Sequence, residues 1–259
     1  MLETKGLTKY FGGLCAIENL DLTVREGEIV GLIGPNGAGK TTVFNLVTGF
    51  LRPSRGRIAF ELKDIVGRKP HEIASLGMVR TFQLTSVFQD FSVVRNMQAA
   101  SHLDPKVSFW EAIFNTAGYR RKEGEIRSRL LRILDFVGLG GVRDTVARSL
   151  PHGHLKMLCI AIALAANPRL LLLDEPLEGM NASEVNTTLH IISEIRKQGT
   201  AILLIEHNMR AVMTICDRLV VLNFGKEIAQ GSPSEVQNNP QVIQAYLGDE
   251  DDAAELEEH

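Results

Sequence analysis

No apolar run in this 259-residue chain approaches the length of a membrane-crossing helix. The longest, Met157 to Ala166, is about half of the roughly twenty residues that a span requires. The opening M-L-E-T-K-G-L-T-K-Y lacks the apolar core of a signal peptide, so the chain is expected to stay in the cytoplasm. Cysteine is scarce as well. Cys15, Cys159 and Cys216 lie far apart with no C-x-x-C pair, which argues against a disulfide framework or a thiolate metal site and fits a reducing compartment. A basic excess is missing: the formal net charge is −3, and no nucleic-acid partner is indicated. That charge is unevenly spread. Residues 249–258 hold seven acidic and no basic side chains, and the tail 249–259 reads as solvated and disordered. Neither an internal repeat nor any other low-complexity segment is present, and the length suits one large α/β core better than two independent domains.

What the chain does have is Gly34-Pro35-Asn36-Gly37-Ala38-Gly39-Lys40-Thr41-Thr42. This is the G-x-x-x-x-G-K-[ST] pattern, set between an apolar strand at Ile29 to Ile33 and an amphipathic helix at Lys40 to Val47. Glycines let successive N–H groups curl around a phosphate without Cβ interference, and the helix N-terminus adds partial positive charge. Lys40 brings a full charge to the β- and γ-phosphates, and the Thr41 hydroxyl suits Mg²⁺. The expected ligand is therefore a nucleoside triphosphate with Mg²⁺.

Strands are expected at Leu2 to Leu7, Leu20 to Val24 and Arg57 to Phe60, forming an antiparallel patch beside the loop. From about Asp90 to Leu164 strand signals vanish, and the apolar spacing within Glu123 to Val137 is helical. Wholly apolar strands follow at Leu170 to Leu173, Ala201 to Ile205 and Leu219 to Leu222, separated by a helix with Val185, Leu189, Ile192 and Ile195 on one face. Such strands joined by helices imply a parallel sheet covered on both faces. Asn223 to Lys226 reads as a hairpin turn, and Ser232-Pro233-Ser234-Glu235 as a capping box. The expected layout is one domain over 1–248, with a core at 1–87 and 165–248 and a helical subdomain at 88–164.

Four leucines lead into Asp174-Glu175-Pro176, placing two carboxylates at the carboxyl end of a buried strand, where ligands of open α/β sheets bind. Asp174 suits Mg²⁺, through a water, and Glu175 suits the attacking water as general base. His207 follows the next strand and can donate to a γ-phosphate. Gln83, in R-T-F-Q, stands at the border of the helical insertion, where its amide suits Mg²⁺ or the attacking water.

Taken together, the phosphate loop, Gln83, a segment near residue 150, L-L-L-L-D-E-P and a histidine about thirty residues later resemble an ABC-transporter ATPase subunit over roughly residues 2 to 248. The resemblance implies an α/β, RecA-like core carrying an antiparallel β subdomain and an inserted helical subdomain. It implies a head-to-tail dimer in which each ATP lies between one chain's phosphate loop and the other chain's signature helix. An aromatic ring on adenine follows from it too, Phe11 first and Tyr10 next. K-Y-F-G-G, G-M-V-R-T-F-Q, I-E-H-N-M and A-Y-L-G are similar to the ATPases of branched-chain amino acid importers. Urea, amide and lipopolysaccharide transport subunits share much of this wording. Implied partners are membrane permease subunits and a second ATPase, equal or different, which would hold the chain on the inner face of the cell membrane. Rival readings are a non-transport ABC ATPase and a regulator that no longer turns over.

One segment departs from the family pattern. Where L-S-G-G-Q is usual, this chain has Leu150-Pro151-His152-Gly153-His154. Pro151 has neither hydroxyl nor N–H, while Gly153 still lets backbone approach phosphate. The ATP site that uses this segment is expected to be the weaker of two, and a different ATPase with an intact segment is expected to complete the site on this chain's own phosphate loop. Asn181 and Glu184, after the carboxylates, are expected to cap the next helix, and Asn181 belongs to the stretch that crosses between subunits in the family.

Overall fold

The computed structural model describes residues 1–81, 87–101 and 117–246, with side chains at 1–81, 87–100 and 124–246. Gln83 and the acidic tail lie outside the described residues. The order along the chain is β1 (Leu2–Phe11), β2 (Leu14–Leu20), β3 (Thr23–Val24), β4 (Ile29–Ile33), α1 (Lys40–Val47), β5 (Arg55–Phe60), β6 (Lys63–Asp64), α2 (Pro70–Ser75) and β7 (Met78–Arg80). The helices α3 (Val93–Ser101), α4 (Ala117–Phe136) and α5 (His152–Ala165) come next. Then follow β8 (Leu170–Asp174), α6 (Ala182–Lys197), β9 (Ala201–Ile205), α7 (Met209–Ile215), β10 (Arg218–Asn223), β11 (Lys226–Gly231) and α8 (Pro233–Gln237).

Contacts divide the chain into two compact units. The first comprises Met1–Arg80, Arg169–Pro176 and the chain from Ile192 onward. It holds two sheets. One is antiparallel, in the order β2-β1-β5-β6 with β3 beside β1; the other runs β11-β10-β4-β9-β8-β7, parallel throughout except for the β10–β11 hairpin. Strands β4 and β9 are buried along their whole length, as unbroken apolar runs require when both faces are covered. Alternation separates the two faces. Val30, Leu32, Leu170, Leu172, Leu203 and Val220 join one core with Val43 and Phe44 of α1 and with Leu2, Ile58 and Phe60 of the antiparallel sheet. Gly31 looks the other way, where a Cβ would meet Leu219, Cys216 and Val212, so α7 approaches that face closely because the strand has no side chain there.

In the second unit, Thr81–Pro168 and Leu177–Ile191, α3, α4 and α5 contact one another pairwise. Leu130, Leu134 and Val137 of the expected helical stripe are buried. Asn96, itself 2% exposed, knits the entry to α3 by bonding both the N–H and the carbonyl of Phe88 and the carbonyls of Phe91 and Ser92.

One strand expectation is corrected. Leu20 to Val24 is not continuous: the pairing runs from Leu14 to Leu20, and Thr23–Val24 pairs separately with β1. Asn19 adopts φ 51°, and the Asp21 carboxylate accepts from the Gly6 N–H at 2.6 Å, so local side-chain chemistry turns the chain where alternation alone suggested a strand. Capping is as expected at both places. Ser232 and Glu235 form the box opening α8, and Asn181 and Glu184 exchange side-chain bonds at the start of α6.

Candidate active site

Register fixes what stands at the carboxyl edge of the parallel sheet. Leu32 pairs with Ile205, and Ile205 with Asp174, so β4, β9 and β8 end level with one another. The chain leaving β4 is the glycine loop, that leaving β9 carries His207, and that leaving β8 carries Glu175.

Backbone conformation explains the glycines. Gly34, at φ 147°, could not carry a Cβ without reaching 2.0 Å from the Leu222 carbonyl oxygen. At Gly39, φ 103°, the added carbon would lie 2.8 Å from the Ala16 carbonyl oxygen. The loop is thus wedged between β10 and β2, and the Gly225 N–H of the β10–β11 turn bonds the Ala38 carbonyl at 3.0 Å. Lys40 is buried, its ammonium donating to the carbonyls of Gly34 at 2.6 Å and Pro35 at 2.8 Å. Asn36, Gly37 and Thr41 are exposed, Pro35 and Ala38 are buried, and Thr42 is half-buried. No acidic residue stands in the first turn of α1, so nothing there opposes an anion at the helix N-terminus. A cradle of this kind, with an ammonium inside and a hydroxyl at its rim, fits a polyphosphate and its accompanying divalent cation.

Asp174 is held by a residue that no motif or spacing singles out. The Arg80 guanidinium donates to its Oδ2 at 2.6 Å, with the two side chains 10% and 11% exposed. Arg80 also donates to Asn45 Oδ1 at 2.6 Å and lies 5.4 Å from the Phe44 ring centroid. Glu175 adopts φ 48° and bonds the Ile205 carbonyl through its own N–H at 2.9 Å. His207 is exposed, and the carboxylate of buried Glu206 accepts from the N–H groups of His207 and Asn208 at 3.1 and 3.3 Å, fixing the turn that presents the imidazole. Glu206 was visible in I-E-H-N but carried no spacing that marked it. Phe11 and Tyr10 end β1, 45% and 40% exposed, and Lys9 Nζ lies 5.0 Å from the Phe11 centroid. Their partner strand β2 supplies the Ala16 carbonyl against the glycine loop.

In the other unit, Pro151 is the N-cap of α5 and offers no side-chain hydrogen bond. The His152 ring sits 3.1 Å from the Glu178 carbonyl oxygen, and Lys156 Nζ is 3.1 Å from the Glu178 carboxylate. Gly153 is buried, with a Cβ there reaching 2.6 Å from the Glu184 carboxylate. Gln83 lies outside the described residues.

Against known proteins, a family model described as "ABC transporter" matches residues 17–178, and one described as "Branched-chain amino acid ATP-binding cassette transporter" matches residues 226–252. The high-affinity branched-chain amino acid transport ATP-binding protein LivG of Salmonella typhimurium is 42% identical over 250 residues, 96% of this chain and 98% of that protein. BraF of Pseudomonas aeruginosa, with the same description, is 41% identical over the same shares. A solved ATP-binding cassette of an ABC transporter, in its ADP conformation, has a TM-score of 0.84 at 32% identity, covering 96% of this chain and 98% of that one.

Proposed function

The chain belongs to the ABC transporter family, and from that premise we propose that it is the ATP-hydrolysing subunit of a membrane importer for branched-chain amino acids. The observation that carries the enzymatic part is the level ending of β4, β9 and β8, which brings the Lys40 loop, His207 and the Asp174-Glu175 pair to one sheet edge. The amino acid part rests on the likeness to LivG and BraF and on the match at 226–252.

In this reading the amides of Gly34 to Thr42 and the Lys40 ammonium bind the ATP phosphates, and Phe11 stacks on adenine. Glu175 accepts a proton from the attacking water, and His207 donates to the γ-phosphate. Thr41 and Asp174, with Gln83, would hold Mg²⁺, which would supply charge neutralisation to the phosphoryl oxygens. The core binds nucleotide, and the helical unit presents Gly153 and the α5 N-terminus to ATP held by a second subunit. Two cassettes closing over ATP and parting after hydrolysis then drive the permease. No described helix is long and apolar enough to cross a membrane, and in this reading permease subunits hold the chain at the inner face of the cell membrane.

Glu175→Gln is the test. The variant should keep ATP binding, lose about 10²- to 10⁴-fold in turnover and accumulate as a nucleotide-bound dimer in size-exclusion chromatography. Turnover at the parental rate would remove Glu175 as the base. Co-purification of integral membrane subunits from the native host, with leucine-stimulated hydrolysis in the assembled complex, tests the transport assignment.

A further inference from the structure

We propose that Arg80 is the resident counter-charge of Asp174, a positioning residue that makes divalent-metal binding depend on nucleotide. The proposal rests on the nucleotide-binding reading above and deepens it, because Asp174 is the carboxylate assigned there to the metal.

Three observations carry it. First, the Arg80–Asp174 pair is shielded, each side chain about one-tenth exposed, and the contact is 2.6 Å. A carboxylate this far from water is unfavourable without a cation close by. Arg80 supplies that cation from the protein itself. Second, the guanidinium bridges two elements. One nitrogen serves Asp174 at the end of β8, the other Asn45 in α1, and the ring of Phe44 lies under the group. Helix α1 begins with Lys40 and Thr41, so the bridge ties the metal-binding carboxylate to the helix that carries the metal-binding hydroxyl. The planar fork of a guanidinium spaces its donors to serve both acceptors, whereas a lysine ammonium is a compact point charge. Third, the arrangement is set by the sheet and not by a loop. Arg80 ends β7, which pairs with β8 through Arg80 and Leu172.

The electrostatic consequence follows directly. With Arg80 beside it, Asp174 presents a neutral pair to a free divalent ion, and the adjacent positive charge repels that ion. Nucleotide phosphates reverse the balance by adding several negative charges at the Lys40 loop. A metal ion then becomes favourable on the nucleotide side of Asp174, which has lone pairs enough to accept from Arg80 and from a metal-bound water together. Arg80 thereby separates two events that a bare carboxylate would run together, and metal arrives with ATP.

The experiment uses the full chain and Mn²⁺ as a paramagnetic probe, titrated by electron paramagnetic resonance with and without ADP. Wild type should bind Mn²⁺ in the presence of ADP and bind it at least about tenfold more weakly without it. Arg80→Gln should bind Mn²⁺ without nucleotide about tenfold or more tightly than wild type does. Asp174→Asn in the same background should abolish that gain. The melting temperature of Arg80→Gln should fall in chelator and recover with Mg²⁺, by a larger shift than wild type shows. Should the glutamine variant fail to fold, Arg80→Met removes the charge while keeping a long side chain, and its nucleotide-free Mn²⁺ affinity should likewise rise about tenfold. Equal nucleotide-free affinities in wild type and the variant that folds would overturn the proposal. So would tight Mn²⁺ binding to wild type alone that Asp174→Asn removes. ADP binding to wild type is read in parallel, in chelator and with Mg²⁺. If it fails with and without metal, the nucleotide assignment is at fault; if it succeeds while the Mn²⁺ results go the wrong way, only the role of Arg80 falls.

Discussion

Two parts of the molecule are assigned to phosphate, and they are made by different means. At the sheet edge, recognition depends on backbone curvature and on charges locked in place: glycines that nothing else can replace, a lysine held by two carbonyls, an aspartate held by an arginine. At the start of α5, it depends on one cap position and a short exposed turn, and that position is a proline with no donor to offer. The contrast has a physical cause. A change at Gly34 collides with the Leu222 backbone, whereas a change at Pro151 leaves the helix intact, secured by Lys156 and His152 against Glu178. Chemistry written into packing is hard to alter without unfolding; chemistry carried by a single surface side chain is not.

The largest expected effect belongs to the packed side. Lys40→Met should weaken ATP binding about a hundredfold or more, since the ammonium's charge-assisted hydrogen bonds to the phosphates are lost, with calorimetry as the readout. Affinity within threefold of wild type would erase the contrast at its strong end. At the weak end, Pro151→Ser should raise steady-state hydrolysis of the purified chain by about tenfold through one restored donor. The same hydroxyl should cap α5 and add about 1 kcal/mol of stability, so a melt without a rate change would assign the residue to folding alone. If neither moves, Pro151 is not what limits this segment.

The smallest effect is sought at the amino edge of the same sheet, away from both. Arg218 binds Glu28 at 2.9 Å between side chains 15% and 11% exposed. Burial pushes the Glu28 carboxyl up, but hydrogen bonds from Arg218 and from the Arg25 N–H outweigh it and hold the group below its ordinary value. A lowered folded pKa stabilises above the ordinary glutamate value of about 4.3, and the contribution is lost as pH falls through the folded value. Glu28→Gln should therefore reduce stability by about 1 kcal/mol at neutral pH and flatten the acid limb of a pH-dependent melt, with hydrolysis unaffected. An unchanged acid limb would show the pair to be inert.

How much of this could be read from residues alone depended on range. Helix α1 spans the residues that spacing indicated, because glycine punctuation and apolar periodicity are both local signals. The parallel direction of β4, β9 and β8 was legible, since uninterrupted apolar strands joined by helices imply a covered parallel sheet. Strand β7 was missed: three residues, M-V-R, are too few for a pattern, and what makes them a strand is the β8 edge beside them. Arg80 was missed for the same reason. Its partner lies 94 positions away, and no sequence rule links an arginine before T-F-Q to an aspartate after four leucines. Glu206 escaped because a buried carboxylate and a surface one look alike on paper until the turn that buries it is drawn.

Glu175 occupies a backbone conformation that a chain selected for folding alone would hand to glycine or asparagine. Holding a glutamate there raises the energy of the folded state by about 1–3 kcal/mol, a standing debit against the molecule's modest stability margin. With Glu175 as the proposed base, the turn between β8 and the residues after it is a place where thermodynamic comfort and reactivity pull in opposite directions.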